Sequence, residues 1–240
     1  MELAGRRALV TGAGRRVGRA IAGGLAQAGC DVAVHYHGSG AGADATAREI
    51  RALGRRAELV TADLRDPAAA RRLADQAAAA LGGLDVLVNS AAIMVQQRVE
   101  DVTPESWDAT FDLNLRAYFF VAQGAIPHLR ASRGRIVNMA DEAAFEPWPQ
   151  YVPHCVSKAG VVMLTKGLAR ALAPEITVTR WRRAPCCSPR PGTPPPASTS
   201  RKPRRSSGSA APRTSCAPCA ICSRAATTSP ARRWSWTAGG

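Results

Sequence analysis

Short β-branched runs alternate with alanine-rich stretches along the first 178 residues, and this alternation is the tightest constraint on how the chain can fold. Arg7-Ala-Leu-Val-Thr11 reads as a strand and Val17 to Ala28 as a helix. Asp31-Val-Ala-Val-His35 is a second strand, followed by a helix from about Ala43 to Leu53. Ala57 to Thr61 and Leu84 to Asn89 supply the third and fourth strands, with a helix from Pro67 to Leu81 between them. A long helix is expected from about Pro104 or Trp107 to Leu129, then a strand over Gly134 to Met139 and a helix from about Tyr151 to Leu172. Strand–helix alternation requires right-handed crossovers, so the expected fold is α/β, a Rossmann-type doubly wound parallel sheet with helices on both faces. Strands covered on both faces explain the nearly unbroken apolar runs.

The pattern stops near Val178. Residues 1–178 carry 20 Lys+Arg against 18 Asp+Glu, whereas residues 179–240 carry 12 Lys+Arg and no acid. The formal net charge of +14 over 240 residues is therefore almost all tail. That tail also holds five of the seven cysteines and ten of the seventeen prolines. Two domains follow: an α/β body over 1–178 and a basic Pro/Ser/Arg-rich tail over 179–240, expected to be disordered, with the C-terminal strands missing. Cys186-Cys187 and Cys216-x-x-Cys219-x-x-Cys222 lack partner ligands, so no metal site is expected. A basic tail binds nucleic acid only nonspecifically. No apolar run approaches the roughly twenty residues a membrane-spanning helix needs, and no secretory signal opens the chain. Only Cys30 and Cys155 lie in the body, which suits reduced thiols and a cytoplasmic protein.

Thr11-Gly-Ala-Gly-Arg-Arg-Val-Gly18 occupies the first strand–helix junction. Gly12, Gly14 and Gly18 permit a tight turn that brings backbone N–H groups and a positive helix end up to a pyrophosphate. No carboxylate ends the second strand to accept a ribose 2′-hydroxyl. Arg16, His37 and Ser39 instead offer donors to a 2′-phosphate, which favours NADPH over NADH.

With Asn89-Ser-Ala-Ala92 and Lys158 downstream, residues 4–178 resemble the short-chain dehydrogenase/reductase family. Arg16 in place of a glycine, and Val34-His-Tyr-His-Gly-Ser39, are similar to pteridine reductases, although Gly38 stands where those carry a second arginine. Reductases of acyl-carrier-protein ketoacyl groups share the same body. The resemblance implies hydride transfer from a nicotinamide to a small carbonyl or pterin-like substrate. It assigns Arg15, Val17, Asp63, Leu64, Asn89 and Ala91 to the cofactor, with Asp63 alternatively a helix cap ahead of Pro67. Self-association into a homo-oligomer is implied by the same likeness.

Asn114 and Lys158 match the family's catalytic asparagine and lysine. Four residues before Lys158, where the family carries its proton-donating tyrosine, stands His154. Asp141 takes the place of the usual serine. His154 and Lys158 share one helical face, and an imidazolium beside a carboxylate can act as a general acid. Tyr151, one turn earlier, is the other candidate donor. A nucleotide-binding protein that has lost catalysis is the alternative reading. Phe145, Pro147 and Trp148 are expected on the substrate side or in aromatic packing.

The tail has the pattern of a shifted reading frame. Thr179 to Arg190, written in GC-rich codons and regrouped after one added base, becomes Asn-Ala-Val-Ala-Pro-Gly-Ala-Val-Leu-Leu-Pro-Glu. That matches the family's sixth strand and Pro-Gly turn. The same shift turns Arg213–Arg224 into an amphipathic helix and Pro230–Gly240 into Thr-Gly-Glu-Thr-Val-Val-Val-Asp-Gly-Gly, a last strand. A one-base deletion near codons 178–179 is therefore expected.

Overall fold

The computed structural model of the chain describes residues 3–182; the expectations for residues 183–240 lie outside that range. In chain order the elements are β1 (Arg7–Val10), α1 (Arg16–Gln27), β2 (Asp31–Tyr36), α2 (Gly40–Ala52), β3 (Ala57–Thr61), α3 (Pro67–Leu81) and β4 (Val86–Asn89). They continue with α4 (Pro104–Phe111), α5 (Ala117–Ser132), β5 (Arg135–Ala140), α6 (Val152–Ala171) and β6 (Thr177–Arg182). The six strands pair in the order β3-β2-β1-β4-β5-β6, all parallel. The order of strand addition reverses between β1 and β4, and the crevice above that switch point is where such sheets bind ligands.

Each face of the sheet buries its own core. One joins Ile21, Ala22 and Leu25 of α1 and Ala43, Ala47 and Ile50 of α2 to Ala8, Val10, Val32 and Val34. The other joins Leu73, Ala74 and Ala77 of α3 and Val121, Ala122 and Ala125 of α5 to Leu9, Leu87 and Ile136. Small residues let α3 and α5 approach closely: a Cβ on Gly124 would lie 2.0 Å from the Arg71 carbonyl oxygen. The start of α3 is capped by Asp66, whose carboxylate accepts from Ala68 N–H at 2.9 Å, with Pro67 in the first turn. Asp63 therefore does not cap this helix; Asp66 stands one residue before Pro67 and has the reach.

Two expectations about elements change. The long helix is interrupted: α4 and α5 are joined by a π-helical turn over Asp112–Arg116, which sequence periodicity does not reveal. The expected boundary at Val178 falls inside β6, which pairs Thr177 through Arg182 with Arg135 through Ala140. Parallel pairing is made by backbone groups, so the β-branched Thr177, Val178 and Thr179 and then Trp181 extend it past the boundary on the β5 template. No described helix is long and apolar enough to cross a membrane.

Asp85 clamps the opposite edge of the sheet from the crevice. Its buried carboxylate accepts from Arg7 N–H and Nε at 3.0 and 2.7 Å and from Arg6 Nη1 at 3.0 Å. Its backbone bonds both to Arg7 O and from Arg135 N–H, so β1, β4 and β5 are registered at one residue. Burial raises the Asp85 carboxyl, but the hydrogen bonds of Arg7 and Arg6 outweigh it and hold the group below the usual carboxylate range. The stabilisation is thus complete above the ordinary aspartate pKa of about 3.9 and is lost as pH falls through the lower folded value. Asp85→Asn is expected to cost about 2 kcal/mol at neutral pH, the arginines being partly exposed. In denaturant unfolding the gap between variant and parent closes toward acid; a gap of equal size on both sides of the aspartate range would contradict the assignment.

Candidate active site

The loop after β1 is shaped by close approaches. Thr11 Oγ1 accepts from Ser90 and Ala91 N–H at 2.8 and 3.0 Å, tying the loop to the end of β4. Gly12 has φ +65, and a Cβ there would meet Ala91 Cα at 3.0 Å; a Cβ on Gly18 would sit 2.2 Å from Gly12 O. Both positions require glycine. Gly14 does a different job. It is buried behind the loop, where a Cβ would come within 2.7 Å of Ser39 Oγ, and it seats the loop on the start of α2.

Above the switch point lies a cavity of about 780 Å³. Gly12, Arg15, Arg16, Val17 and Gly18 line one end together with His37 and Ser39; Asp63 and Leu64 form a side wall. Ser90, Ala91, Ile93 and Met94 continue it toward α6. Asn89 lies beneath this floor, fully buried, its Nδ2 donating to Asn138 Oδ1 at 3.0 Å and Tyr118 O at 3.3 Å. Asn138 Nδ2 in turn donates to Thr165 Oγ1 at 3.0 Å, so Asn89 anchors the end of β4 to both helices of that face. Asp63 pairs with Arg65 at 2.7 Å, whose hydrogen bonds hold its carboxyl down to about 2. His35 and Arg65 also line the cavity, and neither was assigned a role from the sequence. Arg16 has φ +49, the left-handed region, at a strain of about 1 kcal/mol for a residue with a Cβ.

Three of the five expected catalytic side chains, Asn114, His154 and Asp141, are linked in one network, and Lys158 lies on the same helix as His154. Asn114 sits in the π-helical turn, and its Oδ1 accepts from Ile93 N–H at 2.9 Å. Its Nδ2 donates to Ile93 O at 2.9 Å and to Ser157 Oγ at 3.1 Å, and lies 3.4 Å from His154 Nδ1. His154 Nδ1 is 3.2 Å from Ile93 O, and Nε2 is 2.9 Å from Asp141 Oδ2. Lys158 Nζ donates to Met139 O at 2.8 Å and stands 5.4 Å from the Tyr118 ring centre. Tyr151 does not join them: its hydroxyl donates to Gln96 Oε1 at 3.2 Å. Tyr151 precedes the first residue of α6 with a non-helical backbone (φ −139, ψ 31), so its side chain does not follow the helical face that carries His154 and Lys158. Phe145 is half exposed with the Arg180 guanidinium 5.2 Å above its ring. Ser157 was missed from sequence, since a serine on a helix carries no signal of its partner.

The electrostatics follow from burial. Both ring nitrogens of His154 face acceptors, and the two hydrogens of Asn114 Nδ2 are used on Ile93 O and Ser157 Oγ. Burial pushes the Asp141 carboxyl up, but the His154 hydrogen bond and the charges of His154 and Lys158 outweigh it and hold the carboxyl low. Burial lowers Lys158 to about 8, with Asp141 offsetting part of the shift.

The buried ammonium of Lys158 therefore costs stability below about pH 8, and the cost is relieved as pH rises toward the unfolded value of about 10.4. Lys158→Met is expected to raise stability at neutral pH by about 1–3 kcal/mol. Thermal unfolding across the alkaline range checks it: the advantage should shrink between those two pH values, and a less stable variant at neutral pH would refute the account.

The sequence matches the family described as short chain dehydrogenase over residues 6–185. Versicolorin reductase stcU of Emericella nidulans is 38% identical over 168 residues, covering 70% of this chain and 64% of that protein. The probable galactose dehydrogenase GalD of Rhizobium meliloti is 37% identical over 175 residues, 72% of this chain and 68% of that one. The chain thus spans about two thirds of the length of these curated relatives. A short chain dehydrogenase from Burkholderia cenocepacia J2315, crystallised with NADP, superposes with a TM-score of 0.72 at 43% identity, covering 75% of this chain and 74% of that chain. Likeness of this extent, in sequence and across the described sheet, makes the chain a member of the short-chain dehydrogenase family.

Proposed function

We propose that the protein is an NADPH-dependent oxidoreductase that reduces a small carbonyl or pterin-like compound, with the His154–Asp141 pair in place of a tyrosine as its proton source. The observation that carries this reading is the 2.9 Å contact between His154 Nε2 and Asp141 Oδ2, with Asn114 Nδ2 3.4 Å from His154 Nδ1 and Lys158 one turn further along α6. The cavity fits a dinucleotide: it has the volume, and its glycine positions leave no room for a side chain. Gly12, Arg15, Val17 and Gly18 would hold the pyrophosphate, with Arg16, His37 and Ser39 toward a 2′-phosphate. Asp63 and Leu64 would flank the adenine, Ala91 the loop side and Lys158 the nicotinamide end, while Gly14 and Asn89 act from behind. When bound, the coenzyme supplies the hydride.

A carbonyl reduced by hydride also takes one proton. His154 Nε2 passes its proton to Asp141 Oδ2, and Asp141 hands a proton to the substrate oxygen. Asp141 is favoured for the hand-off because its side chain is 22% exposed against 4% for His154, and both nitrogens of His154 are engaged. Lys158 steadies the negative charge as the proton leaves. Gly38, at φ +69, suits a turn glycine and leaves the 2′-phosphate grip to Arg16. Half-exposed Phe119 on α5 and Met163 on α6 support self-association through these helices.

Oxidation of NADPH and NADH by the full chain over a panel of carbonyl and pterin substrates tests the reading. Asp141→Asn and His154→Gln are each expected to lower turnover by roughly 100-fold or more with coenzyme affinity retained. Arg16→Gly, which relieves the left-handed strain, is expected to erase the preference for NADPH. Coenzyme binding with no turnover on any substrate would favour the non-catalytic alternative instead.

We also propose that residues 179–240 are translated from a frame shifted by a one-base deletion near codons 178–179. Supporting it are the three family segments recovered in one frame and a family match that ends at residue 185. Resequencing the gene across this region should find one additional base; an unbroken frame shared with close relatives would end the proposal.

A further inference from the structure

His35 lies near the end of β2, 2% exposed, between the two walls of the cavity. Its Nδ1 accepts from Gly12 N–H at 3.1 Å, and its own carbonyl accepts from Ala13 N–H at 2.8 Å. It therefore takes both amide donors of the loop's first turn. On its other side Nε2 lies 3.1 Å from Ala62 O, next to Asp63 and Leu64. Gly12 brings a donor and Ala62 an acceptor, so the ring is neutral with its proton on Nε2. Burial, which holds this imidazole down to about 4, agrees. Thr46 Oγ1 donates to Ala13 O at 3.1 Å, so the loop's carbonyl is held from α2 as well.

We propose that His35 is a positioning residue for the coenzyme: a strut that sets the glycine loop after β1 against the β3 end, so that the pyrophosphate and adenine sides of the cavity keep one spacing. This rests on the coenzyme reading given above. With Gly12 and Ala13 N–H groups turned inward to His35, the amides at the start of α1 are left as the donors facing the cavity. Without the ring acceptor, the Gly12 N–H has no partner in a buried place, and the peptide can turn.

The strut separates into two halves by substitution. Asparagine places an oxygen near the Nδ1 position and keeps the acceptor for Gly12; glutamine places a donor near Nε2 and keeps only the Ala62 contact. Phenylalanine fills the space and keeps neither. The dissociation constant for NADPH is measured on the full chain beside its melting temperature. His35→Phe and His35→Gln are expected to bind roughly 10-fold more weakly or worse, and His35→Asn within about threefold of the parent. Should the phenylalanine variant fail to fold, the asparagine–glutamine comparison carries the test. Equal affinity in all variants, or losses that track melting temperature regardless of which nitrogen is mimicked, would overturn the strut. A parent chain that binds neither NADPH nor NADH overturns the coenzyme reading and the strut with it.

Discussion

Where β4 ends, the chain leaves the sheet and its amide groups lose their ladder partners, and the two halves of the site are built from the answer to that problem. Buried N–H groups must be paired. Thr11 Oγ1 takes those of Ser90 and Ala91, and Asn114 Oδ1 takes that of Ile93. The first set draws the glycine loop against β4 and shapes the cavity above the switch point. The second draws the π-helical turn inward and leaves Ile93 O facing Asn114 Nδ2 and His154 Nδ1. One stretch of backbone thereby sets the distance between the cavity and the proton-bearing groups.

The same groups burden the fold. Lys158 and Asp141 are ionisable side chains away from bulk water, and Arg16 occupies backbone space that suits glycine. Each is tolerated because neighbours over-determine it: Met139 O receives the ammonium, His154 receives the carboxylate, and α1 continues directly from Arg16. Asp85 and its arginines brace the far edge of the sheet, and the alanine-lined contact of α3 with α5 fills one face. A rigid scaffold with strain gathered at one crevice is the arrangement expected of a site that must hold geometry through a reaction.

Much of the fold was legible because its signals are local. Strand and helix order followed from apolar period and the glycine loop from its place in the first junction, while Asn114, His154 and Lys158 were singled out by the resemblance to the family's motifs. The misses share a cause. The π-helical turn at Asn114 depends on Ile93, twenty-one residues away, drawing the side chain inward. Gly14 serves α2 and Asn89 serves Asn138 because of neighbours that only folding supplies. Asp66, three residues nearer the helix than Asp63, takes the cap, and Tyr151, just before α6, turns toward Gln96. His35, inside an apolar strand, gives no sign in sequence that its ring is a hydrogen-bonding strut.

The sequence by itself determined the parallel α/β architecture and the glycines of the first strand–helix loop, since these depend on residue type and on spacing along one element. Which atoms face each other was decided only by tertiary structure. The alignment of Asp141, His154, Asn114 and Ile93 joins four separate segments, and the tie from His35 to Gly12 and Ala62 joins three more. Hydrogen bonds are directional and short, so their partners follow from how the crossovers pack, which no local pattern encodes.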